Sequence, residues 1–277
     1  MSNLYIKTPA GICTQGFFAL FLQVLEVLSR LKIDENEVVV DFRKNNFYLD
    51  KSRPGSNMWD YFFEQPSSYT LAEALETADF ERRDFKEYCG VYGFKNGTHD
   101  WPPELLSEAR EVCRKYIKVK RCVFDLTDRF YEENMKGKKI LGIQKRGTNY
   151  WTVGHGRGKN IPLEHYFKSV DDKLFQFDNI FLVTDELKTL EEFRKKYGKA
   201  LIHYDEAKLD DGTQDIPLYL RDKSDGHKFG EDVLIEGVLL SRVDYLLAVT
   251  SNISQFAKIY NPTLQFEHID KHIKYKD

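Results

Sequence analysis

Hydrophobic positions along the chain alternate between two patterns. Short runs of β-branched and aliphatic residues give way to longer segments with an apolar residue every third or fourth position. The first pattern predicts strands and the second predicts helices that bury one face. Leu4-Tyr5-Ile6 is thus a short first strand, and Thr8-Pro9-Ala10-Gly11 a turn. Gln15 to Leu31 is a helix through Phe18, Phe21, Leu22, Leu25 and Leu28, followed by the strand Val38 to Phe42. Strand, turn, helix and strand make a βαβ unit. Asn45 to Pro66 is mostly polar loop ending in the aromatic cluster Trp59, Tyr61, Phe62 and Phe63, which suits core packing or a sugar-stacking face. Leu71 to Glu87 has a charged helical pattern. Tyr92 to Trp101 is loop-like, Pro102-Pro103 opens a helix to Tyr116, and a further helix or irregular segment runs to Asn134.

The second half alternates more regularly. Ile140-Leu141-Gly142-Ile143 is a strand, and Pro162 opens a helix to Phe175. Asn179 to Val183 is a strand, Leu187 to Tyr197 a helix that Gly198 ends, and Ala200 to Tyr204 a third strand. Asp205 to Lys228 has few apolar anchors and reads as a long mobile loop, a length at which unstructured segments are usually functional or disordered, beyond about 12–15 residues. Helix Glu231–Ser241, strand Asp244–Val249 and a helix from about Gln255 complete the pattern. The implied class is α/β, with a domain boundary expected at 135/136.

Composition narrows the function. A net charge of −3 over 277 residues argues against a nucleic-acid partner held by nonspecific attraction. Cys13, Cys89, Cys113 and Cys122 lack any Cys-x-x-Cys spacing, so reduced thiols and no zinc site are expected. Gln23 and Glu26 interrupt the apolar segment from Phe17 to Leu28 well short of the ~20 apolar residues of a membrane span, and no secretory pattern precedes it. A cytoplasmic protein without an integral membrane segment is the expectation.

Candidate chemistry lies where strands run into polar loops. In an open α/β sheet, ligands bind outside the carboxyl ends of the strands. Three such ends carry distinct chemistry: Arg146-Gly147-Thr148 is cationic, Thr184-Asp185 acidic, and Thr250-Ser251-Asn252 with Ser254 and Gln255 hydroxyl-rich at a helix start. A guanidinium beside a glycine that lets backbone approach suits a phosphate, and a helix N-terminus presents N–H groups to an anion. Singly each has a plain reading, Arg146 as a surface cation and Ser251 as a helix cap. Together they fit a nucleotide diphosphate. Asp41, at the end of its strand, faces a cleft or serves as a turn aspartate.

Leu141 to Tyr150 resembles the first motif of the GDP-fucose-dependent fucosyltransferase superfamily, roughly His-x-Arg-x-Thr-Asp after a strand. Phe181 to Glu186 looks like the second motif. Ile235 to Ser241, with Asp244 and the Ser251-Asn252 turn, looks like the third. Asn57 to Glu64 is similar to a Trp- and Phe-rich segment of small bacterial members. The resemblance covers Lys139 to Pro262 well and the first half in patches. It departs at Gln144 for the motif's His, Gly147 for a second Arg, and Asn149 for its Asp.

The resemblance implies a GT-B-type architecture of two Rossmann-like domains facing across a cleft. Residues 1–135 would form the N-terminal acceptor-side domain, and 136–277 the C-terminal nucleotide-sugar-binding domain. It implies an inverting, metal-independent glycosyltransferase that moves a sugar, L-fucose from GDP-fucose, to a glycan hydroxyl without a cofactor. The absence of any Asp-x-Asp triplet agrees with diphosphate charge being met by protein donors. Arg146 is the expected donor to the diphosphate and His155 or Asp41 the expected base. Glu236 matches an acidic residue that reaches the nucleotide, or is a solvated helix residue. A UDP-sugar transferase of the same fold and a noncatalytic nucleotide- or glycan-binding protein are the alternatives.

Overall fold

A computed structural model describes residues 4–8, 16–31, 36–44, 47–77, 80–84, 101–147, 161–207, 209–211 and 225–269 of the chain. The chain divides into two compact units, residues 1–124 with 222–234 and residues 125–221 with 235–277. A boundary at 135/136 was expected. The first crossing instead falls inside α5 (Arg121–Asn134), and the chain returns to the first unit for the start of α8 (Gly226–Ser241). Local hydrophobic patterning carries no signal for such a return, because tertiary contacts alone decide which half of a helix joins which core.

The first unit opens with the expected βαβ arrangement. β1 (Leu4–Thr8) pairs in parallel with β2 (Glu37–Val40), Leu4 opposite Glu37 and Lys7 opposite Val40. Between them α1 (Phe17–Arg30) buries Leu20, Phe21, Val24, Leu25 and Leu28. Gly16 has no side chain to cap this helix, and the Tyr48 hydroxyl accepts the Phe17 N–H at 2.8 Å. The aromatic segment forms a short helix, α2 (Trp59–Phe62). Trp59 stacks on Phe63 at 4.4 Å and Phe17 meets Phe62 edge-on at 5.3 Å, with all four rings buried. The cluster is core, and its burial excludes the sugar-stacking reading for Trp59, Phe62 and Phe63.

The helix expected to reach Glu87 is much shorter. α3 (Leu71–Glu76) starts at a capping box in which Thr70 and Glu73 satisfy each other's backbone N–H. The following Phe80–Asp84 is β3, parallel to β1 with Leu4 opposite Phe80. Four of its five residues are charged, a composition that reads locally as a solvated helix. Pairing with β1 overrides that preference, as sheet context commonly does. The order in this sheet is β2-β1-β3. α4 (Pro103–Tyr116) begins as expected with proline at its first turn.

The second unit holds a five-stranded parallel sheet in the order β6-β5-β4-β7-β8. Its strands are β4 (Ile140–Lys145), β5 (Asn179–Thr184), β6 (Leu201–Ile202), β7 (Tyr245–Ala248) and β8 (Gln265–His268). α6 (Leu163–Leu174), α7 (Leu187–Tyr197) and α9 (Asn252–Tyr260) lie between successive strands in sequence. Leu141, Ile143, Ile180, Leu182, Phe193 and Leu247 share one core cluster. Two features differ from expectation. α8 begins five residues earlier than Glu231, at Gly226, and β8 had no place in the sequence pattern because Gln265-Phe266-Glu267-His268 is not an apolar run.

The winding locates the sheet's switch point. From β4 the chain proceeds outward to β5 and β6, then comes back to the other side of β4 for β7 and β8. The strand order therefore reverses between β4 and β7, the point where open α/β sheets leave a crevice outside their carboxyl ends. Part of the expected Asp205–Lys228 loop is anchored near this edge, while residues 208 and 212–224 lie outside the described residues. Asp210 is buried, donates its N–H to the Asp185 carbonyl at 2.8 Å and accepts the Leu187 N–H at 2.9 Å. Among the described residues, no helix is long and apolar enough to cross a membrane.

Candidate functional site

The register of the sheet sets the three polar loops side by side. Lys145 pairs with Thr184 across β4 and β5, and Gln144 with Ala248 across β4 and β7. One residue further, Arg146 stands level with Asp185 on one side and with the approach to Thr250-Ser251 on the other. The three strand ends read from the sequence thus meet at the switch point.

Arg146 is partly buried, and its Nε is buried with no hydrogen-bond acceptor among the described residues. A buried donor without a partner is unusual, since most such groups are satisfied. Asp185 is the nearby counter-charge. Burial pushes its carboxyl up from the ordinary range, and the Arg146 charge and the Gly147 N–H, which donates to Oδ1 at 2.6 Å, pull it back. Glu186 adds to the rise.

Gly147 was expected to be glycine so that backbone could approach a ligand. The structure gives another reason. A Cβ on residue 147 would lie 1.8 Å from Glu186 Cδ and 2.0 Å from its Oε1. Glu186 cannot simply swing aside: its Oε2 is paired with the Lys145 ammonium and accepts from Thr189 Oγ1 at 2.6 Å. Lys145 itself is 4 % exposed. Glu186 is thus a strut against Gly147, held in place from Lys145 and Thr189.

The third loop is closed by a helix cap. Ser251 precedes α9, its Oγ accepts the Ser254 N–H at 3.3 Å, and Ser254 Oγ accepts the Ser251 N–H at 3.1 Å. Ser251 Oγ also lies 3.0 Å from Gln144 Oε1 and donates to it, tying the α9 cap to β4. Thr250, Ser251, Ser254 and Gln255 are all buried, and Gln255 Oε1 is buried without a hydrogen bond among the described residues. Asn252 is half-buried in the first turn of α9.

The other expected site residues fall elsewhere or outside. Thr148 and His155 lie outside the described residues. Glu236 is in the second-unit part of α8 and 7 % exposed, so a solvated helix face does not describe it. Asp41 follows β2 in the first unit. Both its oxygens are held in the Arg43 fork, Nε to Oδ1 at 2.9 Å and Nη2 to Oδ2 at 2.8 Å, and Oδ1 also accepts the Arg43 N–H at 3.1 Å. That geometry is of a turn aspartate.

No protein-family model and no curated protein matches the sequence. Solved structures do. The fucosyltransferase NodZ from Bradyrhizobium superposes with a TM-score of 0.60 at 16 % identity, covering 98 % of both chains. POFUT1 in complex with GDP superposes with a TM-score of 0.54 at 10 % identity, covering 96 % of this chain and 98 % of that one. The chain has the fucosyltransferase fold. NodZ α-1,6-fucosyltransferase co-crystallised with GDP gives a TM-score of 0.56 at 15 % identity, over 95 % of this chain and 94 % of that one. The superfamily resemblance read from the motifs is therefore matched by fold over nearly the whole length, including first-half regions where the motifs were patchy.

Sequence reasoning gave no role to three residues that the structure ties into this cluster: Gln144, Lys145 and Glu186. Each left a trace. Gln144 and Lys145 continue a buried strand with polar side chains, a placement tolerated only with partners. Glu186 directly follows the acidic residue that was singled out.

Proposed function

We propose that the chain is a glycosyltransferase that uses a nucleotide-sugar donor, with GDP-fucose the first choice. The observation that carries this reading is the buried Arg146 Nε, without an acceptor among the described residues, at the switch point of a parallel sheet, beside the capped start of α9. A diphosphate supplies the missing acceptor. Arg146 stays ionised and offers paired donors to the phosphate oxygens. The first turn of α9 adds backbone N–H groups and the positive end of a helix dipole. Asp185, kept beside the guanidinium, is suited to accept from the ribose or base.

In this reading, the unit of residues 125–221 and 235–277 binds the donor and the unit of residues 1–124 and 222–234 serves the acceptor glycan in a GT-B-type enzyme. The reaction is an inverting displacement at the anomeric carbon by an acceptor hydroxyl, without a metal. Its transition state has oxocarbenium character, so stabilising the departing diphosphate matters more than a strong nucleophile. Loss of the Arg146 donors lowers the rate on the order of 10²–10³-fold. His155 is the proposed base, since Asp41 is engaged by Arg43.

Thermal unfolding with GDP, GDP-fucose, UDP and a UDP-sugar tests the donor. GDP and GDP-fucose raise the melting temperature of the parent and not of Arg146→Ala. A response to UDP compounds alone reassigns the base, and no response to any nucleotide overturns the reading.

A further inference from the structure

The first unit carries a cluster of charge that the donor site does not use. Arg43 and residues 49–51 and 53–56 line a concavity of about 250 Å³, with Asp50, Lys51, Arg53 and Ser56 among its polar groups. Ligand pockets commonly span ~300–1,000 Å³, so this one has room for a single sugar ring and not for a nucleotide sugar.

Its walls are fixed before any ligand arrives. Asp50 accepts from Ser52 N–H at 2.8 Å, Ser52 Oγ at 2.6 Å and Arg53 Nε at 2.5 Å. The Ser52 and Arg53 bonds hold the Asp50 carboxyl down to about 2, so it remains ionised. Arg53 also lies over the Tyr61 ring at 5.0 Å, and the Tyr61 hydroxyl is hydrogen-bonded to Ser56 and accepts the Asp50 N–H at 3.2 Å. Arg43 is held by both oxygens of Asp41. Each guanidinium is thus oriented by one carboxylate while keeping further N–H groups undirected.

The charges do not cancel. Among the described residues, Arg43 pairs with Asp41 and Arg53 with Asp50, while Lys51 joins them on the lining. Lys51 is exposed and has no carboxylate partner among the described residues. One positive charge is left over, on a rim whose other donors are fixed. A neutral sugar would leave that charge unanswered. A lone inorganic anion would not use the hydroxyl and guanidinium groups spread around the wall.

We propose that this concavity binds a saccharide unit bearing an anionic group, with Lys51 and Arg53 meeting the charge. The site goes beyond the donor reading and rests on it only in that the saccharide would belong to the acceptor.

Calorimetric titration of the full chain with methyl β-D-glucuronide, methyl β-D-glucoside and inorganic phosphate is the test. The glucuronide binds saturably, while the glucoside and phosphate bind at least about tenfold more weakly, the scale of one charge-assisted hydrogen bond. Lys51→Glu reverses an exposed charge without touching the core and abolishes glucuronide binding, and Lys51→Arg retains it. Equal binding of glucuronide and glucoside, phosphate binding as tight as glucuronide, or an unchanged Lys51→Glu affinity each overturns the proposal. The thermal response to GDP, read on the same samples, keeps the two readings apart. A lost GDP response with intact glucuronide binding sinks only the donor site, and the converse sinks only this one.

Discussion

Gly147 offers the sharpest test of how the loop after β4 is built. Its φ is not in the left-handed region, so alanine meets no backbone objection there. The entire objection is steric and comes from one side chain, because the added methyl would lie 1.8 Å from Glu186 Cδ. To make room, Glu186 must release both Lys145 and Thr189. Removing one partner of a buried pair costs about 3–5 kcal/mol. The Lys145 side chain is 5 % exposed and that of Glu186 24 %, so the lower end applies, about 3 kcal/mol. Glu186→Ala alone loses the same pair and a similar amount. Adding Gly147→Ala to Glu186→Ala then costs nothing, or gains about 0.5 kcal/mol by restricting the unfolded chain. The cycle should show a coupling of about 3 kcal/mol, well above the ~0.5 kcal/mol expected of independent sites. Urea unfolding followed by far-ultraviolet circular dichroism measures it, with an unchanged slope as the check on the comparison. If Gly147→Ala is equally damaging with and without Glu186, the strut explanation is wrong and the glycine serves something else.

Three other outcomes follow from the same site and sheet. Ser251→Ala removes the α9 cap and a donor to the buried Gln144 Oε1, and should lower stability by about 2 kcal/mol in urea, with Ser251→Thr recovering much of it. His203 is buried with Nδ1 on the Leu182 carbonyl, and burial lowers its pKa from the ordinary 6.5. The unfolded chain then binds the proton more readily, so stability falls as pH drops below about 6.5, and His203→Gln should flatten that part of a melting temperature–pH curve. Burial raises the Asp185 carboxyl above its ordinary 3.8, so folding of the parent weakens as pH rises through and beyond that value. Asp185→Asn, which keeps an acceptor for the Gly147 N–H, should gain on the parent over that window, and parallel curves would contradict the assignment.

Strongly patterned elements needed nothing beyond local chemistry. The apolar spacing of α1, the proline start of α4, the Gly198 stop after α7 and the buried runs of β4 and β5 all appear where the sequence puts them. The meeting of the three polar strand-end loops was legible for the same reason, since a parallel sheet obliges its strand ends to share one edge. Wherever a residue's state depended on a distant partner, local reading failed. The charged Phe80–Asp84 is a strand because β1 offers it a ladder, and Gln265–His268 is one because β7 does. Gly147 is glycine because a glutamate from the neighbouring loop fills its place, and Asp41 is occupied because Arg43 folds back onto it. Periodicity and turn chemistry are properties of neighbours in sequence, whereas pairing, exclusion and charge compensation are properties of neighbours in space.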